Sequence, residues 1–152
     1  LHQVLRLLFP DYAVVMNYRI PAIRYHSCEL DVFIPHLNLA FEFQGQYHYQ
    51  WTYLHGSPEE QQKRDQLKKE ICKEANITLI EVPFWWDMKR RSLAATIVKN
   101  RPDIALEVDP SAKPIPTEVP QSVLDASQKM QKKKMLQGYN PQDIPLGIPY
   151  AL

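Results

Sequence analysis

The clearest alternation of apolar and polar residues in the chain lies between Glu29 and Gln44. Two alternating runs are separated there by Pro-His-Leu-Asn at positions 35–38. Because successive side chains of a strand point to opposite faces, the two runs predict a hairpin of two strands, each with one apolar and one polar face. The apolar positions of the two strands are Leu30, Val32 and Ile34, followed by Leu39, Phe41 and Phe43. Glu29 and Asp31 share the polar face of the first strand, and Glu42 and Gln44 share that of the second.

The turn also predicts the register of the hairpin. A four-residue loop pairs Ile34 with Leu39 and places Asp31 opposite Glu42. A slip of one residue is excluded because it would turn the carboxylates into the apolar layer, whereas a slip of two residues stays open. Like charges directly opposite each other destabilise a strand pair, so the favoured register indicates a cation between them, and a divalent ion with oxygen ligands fits best. The alternative is an ordinary strand pair with its polar face in solvent.

The rest of the first hundred residues predicts helices and strands in a mixed order. The predicted elements are a helix over 1–9, a strand over 13–18, a helix over 57–75, a strand over 77–82 and a helix over 87–100. Ser57 is the expected N-cap of the second helix, with Pro58 at its first position and Asn76 as a left-handed cap at its end. This order predicts an α/β (α+β) domain with a central mixed sheet flanked by helices.

The last third of the chain has a different composition. Prolines become frequent after Arg101, and the segment 121–137 predicts a helix rich in Lys and Gln. We therefore divide the chain into a core domain over 1–100 and a Pro-rich C-terminal extension over 101–152, which packs on the core or extends toward a protein partner.

Composition narrows the class of protein. The 152 residues suffice for one domain with a substantial core, and a net charge of +1 means that any basic surface for nucleic acid must be local. Cys28 and Cys72 match neither a metal-binding spacing nor a disulfide framework, which favours reduced thiols in an intracellular protein. No apolar run approaches the ~20 residues of a membrane span, and no signal peptide is recognisable. The chain begins at Leu1 within a helical pattern, as a domain cut from a longer protein would.

The hairpin carboxylates predict a metal-dependent nuclease. Asp31 and Glu42 would bind Mg²⁺ or Mn²⁺ together with a main-chain carbonyl such as that of Phe43. Such a metal lowers the pKa of a bound water and stabilises charge on a scissile phosphate. Gln44 would orient the attacking water. Glu29, expected opposite Gln44, is an auxiliary acid of the same face.

His48 follows the second strand within an aromatic segment. It could act as a general base or protonate the leaving oxygen, and the alternative is a packed structural histidine. Arg64 and Lys68 flank the apolar stripe of the second helix and could contact phosphate or stabilise the transition state. The alternative for these two cations is a solvated helix face with pairs such as Asp65 with Lys68.

Two short basic clusters complete the candidate residues. Lys89, Arg90 and Arg91 form the first cluster and Lys132–Lys134 the second. Clusters of this kind supply phosphate contacts in nucleic-acid-binding proteins, and solvated helix ends explain them equally well.

Four blocks of the chain, taken in order, resemble the PD-(D/E)XK nuclease superfamily. They are Glu-Leu-Asp-Val-Phe-Ile-Pro at 29–35, Leu-Ala-Phe-Glu-Phe-Gln-Gly-Gln-Tyr-His-Tyr at 39–49, Arg-Asp-Gln-Leu-Lys-Lys at 64–69 and Ile-Thr-Leu-Ile-Glu-Val-Pro at 77–83. The resemblance covers about residues 1–100 and is strongest to the branch with very-short-patch-repair and homing-type endonucleases.

This resemblance implies a restriction endonuclease-like αβββαβ core and Mg²⁺-dependent cleavage of phosphodiester bonds, with DNA favoured over RNA. It places the metal acids of the superfamily on Asp31 and Glu42, and a catalytic histidine of the repair branch near His48. The chain departs from the superfamily at Gln44, where a lysine is expected, and in its first helix, which carries no acid. These departures leave a second hypothesis, a catalytically inactive module of the same fold that binds nucleic acid or a protein.

Overall fold

A computed structural model of the protein describes residues 1–21, 28–45 and 58–138. It shows an α+β fold in which helices flank a four-stranded mixed sheet. The elements are α1 (His2–Leu8), β1 (Val15–Ile20), β2 (Cys28–Ile34), a 3₁₀ turn (Pro35–Leu37), β3 (Leu39–Gln44), α2 (Pro58–Glu74), β4 (Thr78–Pro83), α3 (Arg90–Asn100) and α4 (Gln121–Leu136). The predicted order of helix, three strands, helix, strand and helix is confirmed.

The strands follow each other across the sheet in the order β1-β2-β3-β4. β1, β2 and β3 pair antiparallel, and α2 connects β3 to β4, which pairs parallel to it. The predicted hairpin register is confirmed by the pair Ile34 and Leu39 at the turn. Asn38 closes the turn in the left-handed conformation, with a φ of 47° that Asn tolerates well.

Two apolar cores cover the two faces of the sheet. The first lies under α1 and α3 and is centred on Leu5, Val32, Ile34, Phe41, Leu93 and Ile97. The second lies under α2 and is centred on Leu30, Phe33, Ala40, Ile71 and Cys72. The helices α1, α2 and α3 therefore each bury one face against the sheet, which is how an amphipathic helix and a half-apolar sheet exclude water from each other.

The prediction that Leu30 shares a face with Val32 and Ile34 is wrong. Val32 and Ile34 pack in the core under α1 and α3, whereas Leu30 packs in the core under α2. The alternation of β2 is thus interrupted at Asp31.

The neighbouring strand also has an irregularity opposite the interruption. The pairing of β1 with β2 keeps one register on both sides of Asp31, which places Asn17 opposite it. Asn17 has a left-handed φ of 49° in the middle of β1. The break in the alternation of β2 and the left-handed residue of β1 therefore lie at the same point of the sheet.

Several element ends differ from the sequence expectations. β1 extends to Ile20, which pairs with Cys28, so the loop predicted over 19–28 is shorter at both ends. α3 begins at Arg90, and Asp87 lies in the turn before it, where its Oδ1 accepts hydrogen bonds from the Lys89 amide at 3.0 Å and from the Ser92 hydroxyl at 2.6 Å. α2 begins at Pro58 as predicted, and Asn76 beyond its end has the predicted left-handed φ, here 55°. Ser57 lies outside the described residues.

The first part of the C-terminal extension packs on the core domain. Ile104 and Ile115 are buried in the core under α1 and α3. The Ile115 amide donates a 2.8 Å hydrogen bond to Thr96 Oγ1, and Trp85 Nε1 donates one of 2.8 Å to the Pro116 carbonyl. The helix predicted over 121–137 is confirmed as α4, which exposes large apolar side chains such as Leu136. Within the described ranges, no helix is both long and apolar enough to cross a membrane.

Candidate active site

The site is built where β2 and β3 stop pairing through their main chains. Their ladder ends at the pair Val32 and Phe41. Beyond it, the Asp31 amide donates a 3.0 Å hydrogen bond to Glu42 Oε1, and the Phe43 amide donates a 2.8 Å hydrogen bond to Asp31 Oδ2. Carboxylate oxygens therefore accept the hydrogen bonds that main-chain carbonyl oxygens would accept if the ladder continued. The predicted neighbourhood of Asp31 and Glu42 is confirmed.

Glu42 is the more buried acid of the pair, with 8% of its surface exposed. Its second oxygen, Oε2, lies 2.8 Å from Lys68 Nζ, and the Lys68 side chain retains 26% exposure. The helix α2 thus delivers a cation onto the polar face of β3, since it covers this face with Ile71 and Cys72 one turn further on. Oδ1 of Asp31 has no hydrogen-bond partner among the residues that the structure describes.

Burial and charge act in opposite directions on this cluster. Burial raises the pKa of Glu42, the hydrogen bond and charge of Lys68 lower it, and the nearby charge of Asp31 raises it, so the net pKa lies above its ordinary value. For Lys68, burial lowers the pKa, but the hydrogen bond and charge of Glu42 together outweigh burial and the net pKa is raised. Lys68 is consequently a firmly protonated partner for Glu42.

A second ion pair lies directly beside the first. Glu81 of β4 is the register partner of Glu42 in the parallel ladder, so both side chains emerge on the same face of the sheet. Lys69 Nζ lies 3.1 Å from Glu81 Oε1, and both side chains of this pair are more exposed than those of Glu42 and Lys68. Two consecutive lysines of α2 therefore hold two adjacent glutamates of the sheet.

The other predicted residues of the hairpin have separate positions. Gln44 ends β3 opposite Pro83, half-buried, and lines a cavity of about 310 Å³ with Glu81 and Trp85. The β2–β3 ladder does not extend to Glu29 and Gln44, so the predicted pairing of these two residues is wrong. Glu29 instead pairs with Arg19 of β1, at 3.4 Å between Oε2 and Nε. The physical reason is that the β2–β3 ladder ends at Val32 and Phe41, whereas the β1–β2 ladder continues through Glu29 to Cys28.

One of the predicted cations reaches the site, and the others lie elsewhere. Lys68 contacts Glu42, whereas Arg64 is exposed and donates a 2.8 Å hydrogen bond to Gln61 Oε1 on its own helix. The basic cluster Lys89–Arg91 is exposed at the beginning of α3. His48 lies outside the described residues.

The donor set decides which metal the residues could hold. Among the described residues, no group of three or more His, Cys, Asp or Glu side chains could hold a metal ion. Mg²⁺, however, is commonly bound by only one or two carboxylates that leave its other positions to water and phosphate. Asp31 and Glu42 offer two carboxylates that main-chain amides fix in adjacent positions. They fit Mg²⁺ or Mn²⁺ and do not fit a site closed by protein ligands alone.

Both cysteines are buried free thiols, as the sequence predicted, and they lie next to this cluster. Burial raises the pKa of the Cys72 thiol to about 11, and the charges of Cys28 and Glu42 add to the shift. The thiols are therefore neutral at physiological pH and poor metal ligands there.

The sequence interpretation did not find the role of Glu81 and Lys69, and it did not separate Lys68 from Arg64. The sequence did contain a signal for Glu81. If the apolar residues of Ile77–Val82 are aligned with those of β3 in a parallel pair, Glu81 lies opposite Glu42. For Lys68 and Arg64, helical spacing alone does not tell which of two flanking cations points to the sheet.

Comparison with known proteins gives two partial matches. The chain is 42% identical over 62 residues to "Uncharacterized protein 307L" of Invertebrate iridescent virus 6, which covers 38% of the chain and 32% of the viral protein. It is 38% identical over 63 residues to "Uncharacterized protein 033L" of Invertebrate iridescent virus 3, covering 39% of the chain and 32% of that protein. The match thus spans about a third of each viral relative. No family model matches the chain, and no solved structure matches it significantly.

Proposed function

We propose that the protein is a metal-dependent endonuclease that hydrolyses phosphodiester bonds of nucleic acid, with DNA favoured over RNA. The observation that carries the proposal is the pair of carboxylates, Asp31 and Glu42, at the point where the β2–β3 ladder opens. A chain that only needed a stable hairpin would continue the ladder and would avoid two adjacent acids, one of them almost fully buried.

The element order supports the proposal. The helix, three strands, helix and strand of the core follow the αβββαβ order that the PD-(D/E)XK resemblance implies. The two acids lie on the middle strands β2 and β3. The helix α2 covers the face of the sheet from which the Glu42 side chain reaches Lys68. We propose a restriction endonuclease-like core on this basis.

In the proposed mechanism, Asp31 and Glu42 would hold one Mg²⁺ or Mn²⁺, and their hydrogen bonds from main-chain amides fix the direction of both carboxylates. Bound Mg²⁺ would supply a more acidic water and charge stabilisation at the scissile phosphate. Gln44, at the end of the same strand, orients the attacking water through its amide. His48 accepts or returns the proton, and Lys89, Arg90 and Arg91 contact phosphates away from the cleaved bond.

The test is cleavage of supercoiled plasmid, single-stranded DNA and RNA in Mg²⁺ and in Mn²⁺. We expect wild type to cut DNA, and we expect Asp31→Asn and Glu42→Gln each to lose about 10²-fold or more of the rate, because each removes a ligand charge. Glu81→Gln is the matched control, since Glu81 is the register neighbour of Glu42 and pairs with Lys69. The proposal fails if no substrate is cut, or if Glu42→Gln cuts as fast as Glu81→Gln.

One observation favours a second candidate function, an inactive module of the same fold that binds nucleic acid or a protein. The buried carboxylate of Glu42 already has a full set of partners in Asp31 N and Lys68 Nζ, which a purely structural ion pair would also have. Calorimetric titration with Mn²⁺ distinguishes the two functions. Heat of binding that Asp31→Asn abolishes contradicts the inactive module, and DNA binding without any Mn²⁺ binding supports it.

A further inference from the structure

Lys68 holds a position that has consequences for any cation at the proposed site. Glu42 has two carboxylate oxygens, of which Oε1 accepts from the Asp31 amide and Oε2 lies 2.8 Å from Lys68 Nζ. A divalent cation that binds Glu42 through Oε2 must take the place of this ammonium. Two positive charges cannot share one carboxylate oxygen at contact distance without strong repulsion.

The strand that carries Glu42 offers no cation of its own. Two residues beyond it stands Gln44, whose side chain is uncharged, and the neighbouring Lys69 is engaged by Glu81 at 3.1 Å. Lys68 is therefore the cation that the described residues bring into contact with the carboxylate pair. Its four-carbon stem and its partial exposure allow the ammonium to move several ångströms without a change in α2.

We propose that Lys68 and the metal compete for Glu42 Oε2, and that the ammonium displaced by the metal becomes the group that contacts the phosphate undergoing cleavage. Lys68 would thus perform two tasks. It neutralises a buried carboxylate while no metal is bound, and it places a positive charge beside the phosphate once the nucleic acid is bound. This inference rests on the proposed function, since it assigns Lys68 a role at the same site.

The competition predicts opposite effects of one substitution on two measurements. Lys68→Met removes the competing charge, so we expect Mn²⁺ to bind about tenfold more tightly in calorimetry, while the cleavage rate at saturating Mn²⁺ falls by about 10²–10³-fold. A residue that only maintains the fold would lower both affinity and rate. Removal of a residue that only binds the metal would also lower both the affinity for Mn²⁺ and the cleavage rate.

The control variant is Lys69→Met, which removes the adjacent lysine and leaves Lys68 in place. We expect it to bind Mn²⁺ and to cut DNA as wild type does. Lys68→Gln is the second variant, because its amide can still donate to Glu42 and so preserve the fold if Lys68→Met unfolds. Thermal unfolding of each variant without metal establishes that the folded proteins are being compared.

The outcomes separate this inference from the proposed function. Tighter Mn²⁺ binding with slower cleavage in the Lys68 variants, and wild-type behaviour of Lys69→Met, support the competition. Mn²⁺ binding that is unchanged or weaker in folded Lys68 variants overturns the competition and leaves the nuclease proposal in place. Absence of Mn²⁺ binding in wild type and in all Lys68 variants overturns both.

Discussion

Lys68 and Lys69 follow each other on α2 and pair with Glu42 and Glu81, which are register partners on β3 and β4. The two ion pairs have similar lengths, 2.8 Å and 3.1 Å, but different surroundings. The Glu42 side chain is 11% exposed and has Asp31 beside it, whereas the Glu81 side chain is 29% exposed.

The difference shows what burial adds to an ion pair. The charges of an exposed ion pair are screened by water, so the pair contributes little to the free energy of unfolding. Removing one partner of such a pair leaves the other hydrated. A carboxylate that is buried beside a second carboxylate stays ionised only with a cation next to it, whether a lysine or a metal, and otherwise takes up a proton at a cost in free energy. The Glu42 cluster is therefore the part of the sheet where a cation is needed, and the Glu81 pair is an internal reference for it.

The largest expected effect on stability comes from removing Lys68, which tests the contrast between the two ion pairs directly. Lys68→Met should lower the free energy of unfolding by about 3 kcal/mol, because it leaves Glu42 as a buried charge without its partner. Lys69→Met should cost less than about 1 kcal/mol, because Lys69 is exposed and its partner Glu81 is only half-buried. Urea unfolding of both variants at neutral pH and without metal is the measurement. Equal losses would mean that the burial of Glu42 has no energetic consequence.

A second effect tests the interior beneath Lys68. The pKa of Cys72 is about 11 in the folded protein, above the ordinary 9.0 that it has when unfolded. Because the raised pKa belongs to the folded state, this stabilisation is complete below about pH 9 and is lost as the pH rises toward 11. We expect the free energy of unfolding to fall by about 2 kcal/mol across this window, somewhat less than a full difference of two pKa units would give.

Other groups also titrate at alkaline pH, so the readout is a difference between two proteins. Urea unfolding of wild type and Cys72→Ala at pH 8.5 and pH 10.5 should show a smaller alkaline loss in the variant. The same alkaline loss in both proteins would show that the Cys72 thiol does not lie in the apolar surroundings described for it.

The smallest effect concerns salt. The exposed pair of Lys69 and Glu81 should contribute about 0.2–1 kcal/mol at 0.1 M NaCl and almost nothing at 1 M, where the screening length falls to about 3 Å. The pair of Lys68 and Glu42 should keep most of its contribution because solvent ions reach it poorly. Double-mutant cycles at both salt concentrations measure this, and an equal salt dependence of the two pairs would refute the distinction.

The sequence predicted the hairpin and its register because two short-range rules agree there. The alternation excludes a slip of one residue, and the four-residue turn aligns Ile34 with Leu39. The neighbourhood of Asp31 and Glu42 follows from this register. The element order was predictable for the same reason, since each element has its own local period and its own start or stop residues.

The sequence did not predict where the alternation of β2 breaks or which cation of α2 reaches the site. The break at Asp31 lies opposite Asn17, a residue of another strand whose left-handed φ no apolar period reveals. The β2–β3 ladder ends before Glu29, which pairs with Arg19 and does not face Gln44. The choice of Lys68 over Arg64 depends on how α2 is turned about its axis, which the packing of Ile71 and Cys72 on the sheet determines.

The central claim is that Asp31 and Glu42 together bind the metal, and a crystal soaked in MnCl₂ tests it most directly. We expect an anomalous difference peak at ligand distance from one oxygen of Asp31 and one of Glu42, with Lys68 Nζ moved away from Oε2 and no peak at Glu81. A peak at Glu81 or elsewhere, with Lys68 still on Glu42 and nothing between the two acids, would contradict the claim.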